Sequence, residues 1–250
     1  MSELAISSAQ MSTERRWSTA TGMALVLMAA AGGFTYGYAH PLLHVIDDPT
    51  ATSAAVQSRP ILLWLVAAVW AAVALLDLLV SYGIYVIYRG SARVLSILAA
   101  AVRVIYTIVL VVAVAELWSL LFNNYATSAL DRFDSFEKIW SRGLVIFGVH
   151  LLMLSRLVIY AKRSGALVAM LLGVGGAGYV VVNGLKVFGS QLFVMQDLLI
   201  AVLSIPMVLG ELLFALVLLT SGFNVHKDSS KQRQNDLGTR NIRSRIKENC

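Results

Sequence analysis

One stretch of the chain, residues 61–88, is almost wholly apolar over more than the thickness of a lipid bilayer. A helix needs about 20 apolar residues to cross the hydrocarbon core, so this stretch predicts a transmembrane helix. It nevertheless carries a carboxylate, Asp77, well inside it. An ionisable group at that depth costs about 2.5–3.5 kcal/mol unless something pairs with it. Asp77 therefore requires a partner from another part of the chain.

The rest of the chain repeats the pattern of long apolar runs between short polar segments. Of its 250 residues, 58% are hydrophobic and 14% charged, whereas soluble domains carry about 25% charged residues. We therefore predict an all-α, polytopic transmembrane helix bundle with no large soluble domain. The six predicted spanning helices cover residues 22–43, 61–88, 94–122, 139–161, 166–188 and 198–223.

The segments outside these runs are polar. We expect residues 1–21 to form a polar, disordered N-terminus and residues 224–250 a basic, disordered cytoplasmic tail. Residues 44–60 and 123–138 are predicted to be loops. The first apolar run is interpreted as an uncleaved helix, and the alternative is a signal peptide with a poor cleavage motif at residues 37–39.

Basic residues are distributed unequally between the two predicted sides of the bundle. Thirteen Lys and Arg residues fall in the N-terminus, the second and fourth connections and the tail, and four fall on the opposite side. The positive-inside rule then places both termini in the cytoplasm. The net charge of +6 is interpreted as contact of loops and tail with anionic lipid headgroups, not with nucleic acid.

Four ionisable side chains on four predicted helices share one depth. Asp77, Arg103, His150 and Glu211 each lie about 9–12 residues from a predicted cytoplasmic end, or roughly 14–18 Å into the membrane. We expect them to face a common interior. Because only a short turn joins their helices, Asp77 and Arg103 are predicted to pair directly.

Helical spacing adds three polar residues to this predicted network. Tyr106 shares a face with Arg103, and Tyr179 and Asn183 lie four residues apart on the fifth helix. Such polar stripes face protein or water more readily than lipid. The predicted ligand-binding or polar-network residues are Asp77, Arg103, Tyr106, His150, Tyr179, Asn183 and Glu211.

Three functional hypotheses are compatible with the network. The first is small-solute or proton-coupled transport or binding at mid-membrane. The second is a structural or regulatory membrane protein in which the buried charges only hold the bundle together. The third, an intramembrane enzyme, ranks last because it needs a nucleophile or a metal. We predict no catalytic residue and no cofactor, and the sequence does not indicate an oligomeric state.

Two motifs resemble known sites but lack the required context. Residues 173–178 fit G-x-G-x-x-G, yet they follow no strand and lie in an apolar helix, so we interpret them as a close helix contact. His40 and His44 are four residues apart without the Glu of an H-E-x-x-H motif, and we interpret them as interfacial residues. The positive charge of Arg103 opposes a cation at mid-membrane. No metal site is therefore predicted.

Several segments together resemble an uncharacterised, mainly bacterial family of six-helix membrane proteins. They are the Asp77-containing helix and residues 147–151, 173–179, 210–213 and 221–224. The family is catalogued as a domain of unknown function, number four thousand three hundred and eighty-six in its series. The resemblance implies the fold and a multi-pass location in a cell membrane, namely a bacterial plasma membrane. It implies no activity.

Overall fold

The computed structural model describes residues 2–122, 129–162, 165–188, 202–203 and 205–220, and all regular secondary structure in these ranges is helical. A π-helix, Gly33–Ala39, joins the first α-helix to the second. The α-helices are α1 (Ser2–Gly32), α2 (His40–Leu43), α3 (Pro49–Ser58), α4 (Pro60–Tyr88), α5 (Arg93–Phe122), α6 (Ala129–Ala161), α7 (Ala166–Phe188) and α8 (Ile205–Thr220).

Five helical stretches in the described residues are long and apolar enough to cross a membrane. These are Met11–Leu43, Pro60–Tyr88, Arg93–Phe122, Ala129–Ala161 and Ala166–Val187. The chain thus has the architecture of an all-α, multi-pass membrane protein. Helix α8 is a shorter apolar helix within the sixth predicted span, 198–223, parts of which lie outside the described residues. The predicted tail, 224–250, also lies outside them.

The structure differs from the disordered N-terminus predicted for residues 1–21, because α1 already begins at Ser2. This segment contains no Pro and no Gly, so nothing in it interrupts a helix. Its last turns also pack against the bundle. The Trp17 ring contacts Tyr82 at 4.7 Å, and the Ser18 hydroxyl donates to the Leu218 carbonyl at 2.9 Å.

Two predicted loops also contain helix. Within residues 44–60, helix α3 begins at Pro49 and is capped by the Asp48 carboxylate, which accepts from the Ala51 N–H at 2.8 Å. Within 123–138, helix α6 begins at Ala129. The high charge of that stretch suggested a loop, but charged residues are compatible with an amphipathic helix.

The membrane-length helices pack in chain order. Helix α4 contacts α1 and α5, and α6 contacts α5 and α7. Helix α8 lies between α7 and α1: its Met207 backbone approaches Gly175 of α7, and Leu219 approaches Gly22 of α1. The order α1, α4, α5, α6, α7, α8 therefore closes into a ring, which encloses the predicted polar residues.

Helices α6 and α7 approach each other closely through two glycines. A Cβ atom on Gly148 would lie 2.6 Å from the Gly176 carbonyl oxygen, and one on Gly176 would lie 2.8 Å from the Gly148 carbonyl oxygen. Backbone atoms cannot move aside as a flexible side chain can. The prediction that residues 173–178 form a close helix contact is therefore confirmed.

This contact predicts different effects for two glycine substitutions on the same helix. We expect Gly176→Ala to destabilise the bundle by about 1–3 kcal/mol, because the added methyl group overpacks the α6–α7 contact. Gly184→Ala is the matched control, since a Cβ there meets no atom within 4 Å. Thermal unfolding in detergent should show a lower Tm for Gly176→Ala alone. Equal Tm values for both variants would contradict the packing argument.

Candidate functional site

The buried centre of the structure contains an ion pair between α4 and α5. Asp77 is 0% exposed and Arg103 is 1% exposed, and Arg103 Nη2 lies 2.5 Å from Asp77 Oδ1. The pair forms as the sequence predicts, because the connection from Tyr88 to Arg93 holds the two helices side by side. Each residue supplies the charge that the other requires away from water.

His150 of α6 extends this pair to a third helix. Its Nε2 lies 3.2 Å from Arg103 Nη1, and its Nδ1 lies 2.9 Å from the Ala99 carbonyl oxygen. A carbonyl can only accept, so Nδ1 donates to Ala99, and the guanidinium donates to Nε2. The imidazole in this arrangement is neutral. His150 therefore links α5 and α6 without adding a charge.

Aromatic rings cover the guanidinium on the side facing α7. Arg103 Cζ lies 5.1 Å from the centre of the Phe147 ring, within the range of a cation–π interaction. The Tyr106 and Tyr179 rings contact Phe147 at 4.9 and 5.3 Å. Phe147 thus separates the ion pair from the polar residues of α7 and α8.

Glu211 of α8 lies beyond this aromatic layer. The Tyr179 hydroxyl donates to Glu211 Oε1 at 3.3 Å. The Tyr179 ring in turn contacts Phe147, so Glu211 is connected to the guanidinium through these two aromatic side chains. We call Asp77, Arg103, His150, Tyr179 and Glu211 the inner polar network.

The other two predicted residues occupy its edges. Tyr106 is buried, and its ring contacts Phe147. Asn183 is buried too, but its amide donates to the Tyr179 carbonyl of the same helix at 3.0 Å. The structure therefore brings six predicted residues into one interior, whereas the amide of Asn183 bonds to its own helix.

The ion pair is held by charge more than by well-aligned hydrogen bonds. Both Asp77 carboxylate oxygens, and the Nε and Nη2 atoms of Arg103, have no hydrogen-bond partner of good geometry within the described part of the chain. The neighbouring hydroxyls do not supply one. Ser81 donates to the Asp77 carbonyl at 2.8 Å and Thr107 to the Arg103 carbonyl at 2.9 Å, so each hydroxyl bonds to its own helix.

A second polar cluster, which the sequence analysis did not predict as a site, lies near the beginning of α6. We call His40, His44, Asp134 and Glu137 the histidine cluster. Its ion-pair and hydrogen-bond distances run from 2.8 to 3.9 Å. Burial lowers the pKa of His44 and the neighbouring His40 lowers it further, against an opposing effect of Glu137 and Asp134. Neutral imidazole is thereby favoured at His44.

The fold and the inner polar network define a class, namely a multi-pass α-helical membrane protein with ionisable groups buried between its helices. Residues 20–222 match the family model described as a domain of unknown function, DUF4386. This match covers most of the chain, so the protein belongs to that family. No curated protein and no solved structure matched the chain.

The buried ion pair predicts a strong asymmetry between single and double substitution. We expect Asp77→Asn to destabilise the bundle by about 3–5 kcal/mol, because it leaves the Arg103 charge buried without its partner. The double variant Asp77→Leu with Arg103→Met should recover much of that loss, because it removes both charges. Thermal unfolding in detergent measures both effects. An unchanged Tm for Asp77→Asn would show that the pair does not stabilise the bundle.

Proposed function

We propose that this protein binds and transfers a proton, alone or together with a small solute, through the inner polar network. The observation that supports the proposal is a charge imbalance. Two carboxyl groups, Asp77 and Glu211, share the interior with one buried guanidinium, that of Arg103, which contacts Asp77. The same interior therefore has capacity for one more positive charge.

We assign that capacity to Glu211. Asp77 contacts the guanidinium directly, and His150 contributes no charge because both its ring nitrogens are engaged in the neutral form. The hydrogen-bond partner of Glu211 is a neutral phenol, that of Tyr179. An unpaired carboxylate at membrane depth costs about 2.5–3.5 kcal/mol, which a bound proton or small cation removes.

Glu211 also occupies a more accessible position than the ion pair does. It is partly exposed, whereas Asp77, Arg103 and His150 are buried. Its hydrogen-bond partner Tyr179 carries a hydroxyl group, which can both donate and accept a hydrogen bond. Proton exchange at Glu211 would then leave the α4–α5–α6 contacts in place.

The proposal includes a topology and a location. Six membrane-spanning helices, α8 providing part of the sixth, place both termini in the cytoplasm of a bacterial cell, with the bundle in the plasma membrane. The support is the distribution of basic residues, thirteen on the proposed cytoplasmic side and four on the other. The basic segments would contact anionic lipid headgroups there.

A second candidate is a structural or regulatory membrane protein, and the ion pair itself favours it. Asp77, Arg103 and His150 are fully buried and tie three helices together. Buried polar groups of this kind can serve to fix helix register alone. In that case Glu211 would have no exchangeable proton of functional consequence.

Glu211→Gln separates the two candidates, because it removes the titratable group while keeping the shape and the hydrogen-bonding capacity of the side chain. In proteoliposomes with a trapped pH indicator, we expect an external acid pulse to acidify the lumen for the natural protein and not for Glu211→Gln. Infrared spectra should lose one carboxyl band that changes with pH in the same variant.

The matched control is Glu116→Gln. Glu116 is a partly buried carboxylate on α5 that pairs with Arg132 at 2.7 Å, outside the inner polar network. The Glu116→Gln variant should leave both the acidification of the lumen and the infrared carboxyl band unchanged. If Glu211→Gln unfolds at the natural Tm and shows natural proton flux and spectra, proton transfer at Glu211 is wrong. A lowered Tm with no proton flux in either protein would favour the structural candidate.

A further inference from the structure

The histidine cluster joins the end of the first membrane-length helix to the beginning of α6. His40 Nε2 lies 2.8 Å from Glu137 Oε1 and 3.1 Å from His44 Nδ1, and His44 Nδ1 lies 3.9 Å from Glu137 Oε1. Two imidazole nitrogens and one carboxylate oxygen thus converge from segments 97 residues apart in sequence. All three are atoms that bind metal ions.

The size of this triangle fits a transition-metal ion. A circle through its three atoms has a radius of about 2.0 Å, and zinc–nitrogen and zinc–oxygen bonds are about 2.0–2.2 Å long. An ion close to the plane of the triangle would reach all three atoms with the helices where they are. Imidazole and carboxylate ligands together suit Zn²⁺ and its neighbours better than Ca²⁺ or Mg²⁺.

The surroundings of the histidines resemble those of metal ligands. Asp134 Oδ1 lies 3.3 Å from the Nε2 atom of His44, the ring nitrogen that points away from the triangle, within ion-pair distance but without the geometry of a hydrogen bond. A carboxylate behind a ligand histidine orients the ring and makes it a stronger donor. The Phe133 ring stacks on His44 at 5.3 Å and the Tyr36 ring on His40 at 5.1 Å, so both imidazoles are held in place.

The local backbone also fixes the two histidines relative to each other. The π-helix ends immediately before His40, whose N–H donates to the Thr35 carbonyl. The His44 N–H donates to the His40 carbonyl at 2.9 Å, so the two rings stand one α-helical turn apart on the same face. Insertions of π-helix into α-helices occur frequently at functional sites.

We propose that His40, His44 and Glu137 bind a divalent transition-metal ion of the zinc class, with Asp134 orienting His44. Three protein ligands leave a further coordination position for water or another molecule, as in zinc sites that act on a ligand. The Glu137 side chain is 37% exposed, so the position can be reached from outside the bundle. This site is separate from the inner polar network and does not depend on its function.

The test uses the full-length protein in detergent, stripped of metal by a chelator and titrated with Zn²⁺ or with Co²⁺. We expect one equivalent to bind, with a visible Co²⁺ spectrum typical of mixed nitrogen and oxygen ligands. Binding should also raise Tm, because the ion binds the folded state. The variants His40→Ala and Glu137→Gln should lose the bound equivalent, the spectrum and the rise in Tm.

Four further measurements isolate the site. Asp134→Asn should weaken binding about 10–100-fold without abolishing it, as expected for a residue that only orients a ligand. His226→Gln and Cys250→Ser remove donors elsewhere in the chain and should leave binding unchanged. Glu137→Gln preserves a hydrogen-bonding side chain beside His40, so its metal-free Tm reports whether the variant still folds.

Two results would overturn the proposal. One is that the metal-stripped natural protein, titrated with Zn²⁺ or Co²⁺, neither binds the ion nor shows a rise in Tm. The other is equal binding by the natural protein and a folded Glu137→Gln variant, which would assign the metal to other donors. In either case the histidine cluster would only be a hydrogen-bonded contact between α2 and α6.

Discussion

The ion pair between Asp77 and Arg103 is the interaction on which the rest of the interior depends. Removing either charge leaves the other without compensation in a space that excludes water. The pair therefore fixes the register of α4 against α5. Once the guanidinium is fixed, Phe147 packs on its face and His150 accepts a hydrogen bond from its Nη1 atom. Both residues belong to α6, so these contacts also fix the orientation of that helix.

This centre is the part of the structure that the sequence predicts best, for a simple physical reason. A charge inside an apolar run has few acceptable surroundings, so Asp77 and Arg103 could be assigned to a common interior from depth alone. The amide of Asn183 shows the limit of the same argument. Helical spacing placed it with Tyr179, but a side-chain amide can also bond to the preceding turn of its own helix, and spacing does not distinguish the two.

The histidine cluster could not be predicted in the same way. The spacing of His40 and His44 is visible in the sequence, but Glu137 lies in a charged stretch that resembles a loop and is part of α6. Polarity distinguishes a loop from a membrane span, but it does not distinguish a loop from the solvated end of a long helix. Only the tertiary structure, which places His40 of α2 beside Glu137 of α6, brings the carboxylate to the imidazoles.

The inner polar network has two parts, one on α4, α5 and α6 and the other on α7 and α8. They differ in how easily their side chains can change charge. His150 accepts from Arg103 through Nε2, so protonation of that nitrogen would place two positive groups in contact and break the tie to α6. Asp77 cannot be neutralised without isolating the guanidinium. Glu211 has neither restriction, because its partner is the neutral hydroxyl of Tyr179. A change of charge in this interior is therefore least costly between α7 and α8, where it leaves the contacts among α4, α5 and α6 intact.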